Sequence, residues 1–226
     1  MSENFFTSFR KRAVFVLCLF VVVFFTAFTS EATVTEAEVK SAWEDVCRIA
    51  EMRVLPLSIK EEKTPNAWVT AGKSVTVTRG LMNLLARPEE MFGVLSHEAG
   101  HVKLRHYQGR VGNAVGVGIA ATVLGKLFGD SSLGEVAVGA GAGLATAGYS
   151  RKQEVEADDF AVDLAFKGGK DPTGIYTALE RLSHYGGKSA PSGFSSHPPD
   201  GRRLRHVKER ILARDPNVVF PRVPLP

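Results

Sequence analysis

The sequence predicts a mainly α-helical domain carrying one small β-sheet, an α+β arrangement. Three observations lead there. Apolar residues recur at helical spacing over 35–54, from 88 to near 109, and over 151–167. One short stretch alternates as a half-buried strand does, Val75 and Val77 taking turns with Thr76 and Thr78. Between 111 and 149 the chain becomes Gly- and Ala-rich and almost uncharged, which reads as a hairpin of two apolar helices broken at Gly129-Asp130-Ser131-Ser132.

The chain opens on the basic group Arg10-Lys11-Arg12, continues through 13–28 without a charge, and reaches the small-x-small pattern Ser30-Glu31-Ala32. This is the layout of a signal peptide cleaved after Ala32. Retained instead as an N-terminal anchor, 13–28 would be short for a membrane span, which needs about 20 residues. Either reading takes the chain out of the cytoplasm and leaves 33–226 as a single domain. Of the two cysteines, Cys18 lies in the leader and Cys47 remains, so the exported chain has no internal disulfide and must be held by its core or by a metal.

Thr35 can cap the first helix, whose Val39, Trp43, Val46, Cys47 and Ala50 share one face; Pro56 ends it. Cys47 is thereby a buried apolar residue. β-Branched residues on both sides of Ala71-Gly72-Lys73 predict a hairpin over 66–81. Pro88 suits the first position of the next helix, and Glu89 and Glu90 set negative charge at its positive end. Ser150 caps the helix over 151–167, which Gly168-Gly169 stops. A helix from Pro172 to Tyr185, a loop over 186–201, a basic helix and an extended Pro-rich tail over 215–226 complete the chain.

At 44% hydrophobic and 23% charged residues the composition is that of an ordinary globular protein. The net charge of +4 is mild, and with no Lys/Arg run or aromatic-basic stripe, nucleic acid is excluded as a partner. Membrane contact could arise through 13–28 or through 111–149; the other reading of the second segment is a hairpin of small residues packed inside the domain.

The chemistry centres on residues 94–105, VLSHEAGHVKLR. Residues four apart on a helix share a face, so His97 and His101 can aim both imidazoles at one point. Catalytic zinc accepts neutral imidazole nitrogen and keeps three protein ligands plus an open position. Glu98, beside the pair but not forced onto the metal, can take a proton from water and pass it to a leaving amine. The third ligand must come from another element. The helix after Ser150 offers Glu154 and Asp158, four apart on one face. Glu154 would complete a two-histidine, one-glutamate site for one Zn2+ per chain. Asp158 would accept the outer N–H of a ligand histidine, and Glu156 and Asp159 would point elsewhere. His106 lies five residues past His101, off the metal face, and reads as solvated near the helix end. His184 and His206 fall on helices without acidic or cysteine company.

HEAGH at 97–101, followed some fifty residues on by SRKQEVEAD at 150–158, resembles the zinc endopeptidases of metallopeptidase family forty-eight, and most nearly its short periplasmic members. NAWVTAGKSVTVTRGLMNLL (66–85) resembles the strand segment before the metal helix of that family, and SSHPPDGRRL (195–204) its downstream His-Pro motif. The resemblance spans about 38–213. It implies a zincin-like fold, with His97, His101 and Glu154 as zinc ligands, Glu98 as general base and acid, and Asp158 behind a ligand. It further implies that Val75, Thr76, Val77 and Thr78 form an edge strand pairing with extended polypeptide substrate. His197 would stabilise an oxyanion or, alternatively, occupy the water's place and hold the enzyme latent, with Arg203 beside it. The implied activity is hydrolysis of peptide bonds in misfolded or unassembled envelope proteins. The alternative is a zinc-binding chaperone or assembly factor whose site stays closed.

Overall fold

In a computed structural model of the chain, residues 33–70, 72–108, 148–185, 197 and 200–222 are described. The leader over 1–32, the Gly/Ala-rich hairpin apart from its last two residues, and most of the 186–201 loop lie outside them. Among the described residues no helix is long and apolar enough to cross a membrane.

The order of elements is α1 (Glu36–Ile49), β1 (Leu57–Lys60), β2 (Ala67–Thr70), β3 (Ser74–Thr78), α2 (Arg79–Leu84), α3 (Pro88–Lys103), α4 (Arg151–Lys167), α5 (Thr173–His184) and α6 (Gly201–Arg214). The expected α+β class holds: helices around one three-stranded sheet.

A capping box starts α1: Thr35 Oγ1 accepts from the Glu38 N–H, and the Glu38 carboxylate accepts from the Thr35 N–H at 2.7 Å. Val39, Trp43, Val46 and Cys47 are buried on its inner face, and Trp43 Nε1 donates to the Leu55 carbonyl at 2.8 Å. Burial pushes the Cys47 thiol up to about 11. The helix stops at Ile49, well before Pro56. Glu51 adopts φ 51°, and the Met52 N–H returns to the Cys47 carbonyl, a left-handed cap made without glycine and therefore invisible to a search for Gly or Pro.

The hairpin expected over 66–81 is present as β2 and β3, antiparallel with Val69 opposite Val75 and turning through Gly72 at φ 67°. A further strand, β1, pairs parallel to β3 with Leu57 opposite Val75. The order is therefore β1-β3-β2. This corrects the edge-strand expectation: Val75, Thr76, Val77 and Thr78 lie in the central strand, with neighbours on both sides, and β2 and β1 are the edges. Val75 and Val77 point into the core, and Thr78 Oγ1 accepts from the Leu81 N–H to cap α2.

Helix α3 threads the centre of the fold, with every residue from Glu90 to His101 buried. Pro88 sits in its first turn, and Glu90, fully buried, accepts from the Ala86 N–H and from Arg181 Nε of α5 at 3.0 Å. At Gly93 the backbone of α5 comes so close that a Cβ there would meet Ile175 N at 2.4 Å. At Gly100 the approach of α4 is milder, with Ala157 Cα at 3.1 Å from such a carbon. Gly93→Ala should accordingly lower the thermal midpoint, costing about 1–3 kcal/mol by forcing two backbones apart. Gly201→Ala, where nothing lies nearer than 3.8 Å, should stay within about 0.5 kcal/mol of the parent. Equal midpoints for the two variants in a calorimetric melt would refute the tight α3–α5 seam.

The helix expected to run to about residue 109 ends at Lys103. Leu104 and Arg105 form a turn in which Arg105 takes φ 56°, and residues 106–108 are helical again in a new direction. That break moves His106, as described next.

Candidate metal centre

Helices α3 and α4 cross where Gly100 admits Ala157, and this brings the two sequence motifs face to face. His97 Nε2 and His101 Nε2 lie 3.0 Å apart, and the Glu154 carboxylate is 3.6 Å from each. His197 joins them: its Nδ1 is 3.3 Å from His97 Nε2 and 2.8 Å from Glu154 Oε1. One ligand atom from each of these four buried residues falls within 4.8 Å of every other.

The donor set fits a metal cation. His97 Nδ1 lies 2.8 Å from Asp158 Oδ1, a carboxylate that can only accept, so the ring proton sits on Nδ1 and Nε2 presents a bare lone pair to the centre. Two imidazole nitrogens and a carboxylate oxygen then converge as acceptors, an arrangement that repels itself without a positive charge among them. Nitrogen-rich donors of this kind suit Zn2+. Burial pushes His97 and His101 well below the usual imidazole range, keeping both rings neutral, as ligation requires.

Asp158 is anchored in turn. Arg203 of α6 donates Nε to Asp158 Oδ2 and Nη2 to Oδ1, both at 2.8 Å, and Nη1 to the His197 carbonyl at 3.2 Å. The same Nη1 is 2.7 Å from Glu154 Oε2, in ion-pair contact though off the line of a well-directed hydrogen bond. Burial alone would raise the Asp158 carboxyl, but the Arg203 fork outweighs it and brings the group down to about 2. Asp200 caps α6 by accepting from the Arg202 and Arg203 N–H groups, so the cap itself sets where the guanidinium enters.

Glu98 is fully buried beside the cluster. Burial first, and the Glu154 carboxylate second, push its carboxyl well above the ordinary range, while the Arg203 guanidinium and, less, the Val69 backbone pull the other way. Its Oε1 lies 3.3 Å from His197 Nε2, without the alignment of a full hydrogen bond. Neither Glu98 oxygen has a well-directed hydrogen bond, and the edge strand β2 packs against α3, the helix that carries Glu98.

All seven candidates on the helices and the His-Pro motif thus meet in one place: His97, Glu98, His101, Glu154, Asp158, His197 and Arg203. Two other expectations change, and one residue of the site went unnoticed. His106 is buried, not solvated, with Nδ1 2.9 Å from His101 Nδ1, and its partner on the far side is Glu156 Oε2 at 3.2 Å. His206 has acidic company, Asp159 at 2.8 Å, on the outer face of α4. Tyr149, which composition did not single out, stacks on His101 with ring centroids 3.7 Å apart and planes 15° from parallel. An aromatic residue directly before the Ser150 cap was the available signal.

Comparison with known proteins agrees with this geometry. Metalloprotease YcaL of Escherichia coli (strain K12) is 37% identical over 154 residues, covering 66% of this chain and 59% of the relative. Metalloprotease LoiP of the same organism is 32% identical over 154 residues, covering 67% of this chain and 60% of the relative. The β-barrel assembly-enhancing protease of Yersinia pestis is 26% identical over 165 residues, with 67% of this chain and 33% of that protein aligned. The chain therefore spans at most about three fifths of the length of these relatives. Residues 33–211, from before the first helix to near the end of α6, match the model of one family as a continuous whole, and by that match the chain belongs to peptidase family M48.

Proposed function

We propose that residues 33–226 form one zinc-dependent endopeptidase domain that cleaves unfolded or unassembled polypeptides in a bacterial cell envelope. The observation carrying this reading is the convergence of two Nε2 lone pairs and the Glu154 carboxylate next to a buried acid that is no part of the ligand set. His97, His101 and Glu154 would hold the ion. A bound Zn2+ supplies Lewis acidity toward a carbonyl oxygen and lowers the pKa of its water to about 7.

The rest is the work of side chains. Glu98, whose carboxyl its buried setting raises well above the ordinary range, accepts the water proton and delivers it to the departing amine. Asp158 keeps the His97 proton on Nδ1, and Arg203 keeps Asp158 ionised and aimed. An extended substrate would add to the sheet along β2, an edge strand packed against the metal helix α3, and not along the central strand. His197 stands between Glu154, His97 and Glu98, in space that an attacking water needs. This arrangement is the closed one, and His197 must swing aside before turnover. Once aside, its ring is placed to donate to an oxyanion.

The leader supports export: a basic group, an uncharged stretch over 13–28 and the small-x-small site at Ala32. The name of the Yersinia pestis relative, a β-barrel assembly-enhancing protease, supports a role among envelope proteins.

Purified chain should carry one zinc and degrade reduced, unfolded casein. A strong chelator should stop cleavage, and zinc should restore it. Glu154→Ala should lose activity and bind zinc more weakly, because it removes the one carboxylate of the four-residue donor cluster. A zinc-loaded chain that leaves casein intact yet suppresses aggregation of an unfolded protein would replace this reading with a closed-site chaperone.

A further inference from the structure

The two ligand histidines are held from behind in different ways. Behind His97 stands the buried pair Asp158–Arg203. Behind His101, among the described residues, the outer nitrogen Nδ1 meets not a carboxylate but another imidazole, His106 Nδ1, at 2.9 Å. Two ring nitrogens at that distance share one proton, so one must donate and the other accept.

The direction follows from the centre outward. If His101 is to offer Nε2 to a cation, its proton must sit on Nδ1. His106 Nδ1 must then accept it, which places the His106 proton on Nε2. That nitrogen faces Glu156 Oε2 at 3.2 Å, a group that can only accept. Each proton position sets the next as far as His106 Nε2, whose approach to Glu156 is an ion-pair contact and not a well-directed hydrogen bond. The His106 ring is kept in place by the turn at Arg105, by Gln153 Nε2 reaching its carbonyl at 3.4 Å, and by the Tyr149 ring stacked on His101.

We propose that His106 and Glu156 are positioning residues for the metal centre: a two-residue relay, ending at the protein surface, that holds His101 in the tautomer able to ligate. The inference rests on His101 being a zinc ligand, as in the proposed function. It differs in kind from the Asp158–Arg203 side, which ends in a buried ion pair. Glu156 is 42% exposed, so the outer end of the His101 relay is open to solvent and to Lys152, 3.7 Å away.

The test uses the full chain carrying Glu98→Gln, so that binding is read without proteolysis. Zinc affinity is measured by competition with a chromophoric chelator for this parent and for His106→Leu, His106→Asn and Glu156→Met. The side-chain oxygen of Asn falls where Nδ1 of the histidine lay and can accept the same proton; Leu cannot. His106→Leu should weaken zinc binding by about 10–100-fold. His106→Asn should recover most of that loss, and Glu156→Met should show a smaller loss than Leu. In the zinc-loaded protein the His101 Nδ1 proton should give a protected 1H–15N signal in the parent and the Asn variant, and lose that protection in the Leu variant. Should His106→Leu fail to fold, the Asn and rim Glu156→Met variants decide through the same two readouts. Parent-like affinity and protection in Leu, or an Asn variant no better than Leu, overturns the relay. A parent that binds no zinc overturns the proposed function instead.

Discussion

Glu98→Gln should leave one zinc per chain and lower kcat on an unfolded protein by about 10²–10⁴-fold, the usual worth of a positioned general base and acid. Gln fills the same volume, so no cavity opens, and Glu98 is outside the ligand set, so the ion keeps His97, His101 and Glu154. What disappears is a group able to carry a proton between water and leaving amine. Stability should move the opposite way to activity. Glu98 is fully buried, its carboxylate charge is disfavoured by burial and by Glu154, and neither oxygen has a well-directed hydrogen bond. Replacing that charge with a neutral amide removes a desolvation cost, so the metal-free variant should melt no lower than the parent. Zinc content by atomic absorption, kcat and KM on casein, and a melt of the metal-free protein settle this together. Cleavage within tenfold of the parent removes Glu98 from the chemistry, and a lowered midpoint recasts it as a structural residue.

Much of this centre was legible from residue types and spacing, because two of its parts obey helical periodicity. His97 and His101 are four apart on one helix, and Glu154 and Asp158 four apart on another, so each pair is legible as one face. The caps at Thr35 and Ser150 were equally local. What periodicity could not show was where α3 stops. On an unbroken helix His106 lies well round from the metal face; the left-handed turn at Arg105 brings it back behind His101. Nothing about an arginine predicts φ 56°, since that conformation favours Gly or Asn. The same blindness extended α1 beyond Glu51. The sheet failed for another reason. Alternation marked β3 as a half-buried strand, but strand order depends on pairing with β1, whose alternating Leu-Ser-Ile-Lys is too short to name a partner. The edge that packs against the metal helix is consequently β2, and only the fold reveals it.

Arg203→Met should be the most destabilising change at the centre, costing about 3–5 kcal/mol, the range for removing one partner of a buried ion pair. The reason lies in what the guanidinium leaves behind. Asp158 is fully buried and would lose both arms of its fork, Glu154 would lose its cationic neighbour, and the His197 carbonyl would lose a donor. With Asp158 no longer driven to ionise, its hydrogen bond to His97 weakens, and zinc affinity should fall by about 10–100-fold as well. Arg203→Lys should not rescue, because one ammonium cannot span the two Asp158 oxygens and the His197 carbonyl at once. Adding Asp158→Asn to Arg203→Met distinguishes the two losses. The double variant no longer buries an unpaired charge, so it should recover a substantial part of the lost unfolding free energy. Zinc affinity should remain low, since Asn is a weaker acceptor for the His97 proton than a carboxylate. Chemical unfolding of the metal-free proteins gives the first quantity and chelator competition the second. If the double variant is no more stable than Arg203→Met alone, the ion pair is not what Arg203 contributes. Its role would then be packing between α4 and α6, and the chain of contacts from α6 through Asp158 to His97 would carry no energy.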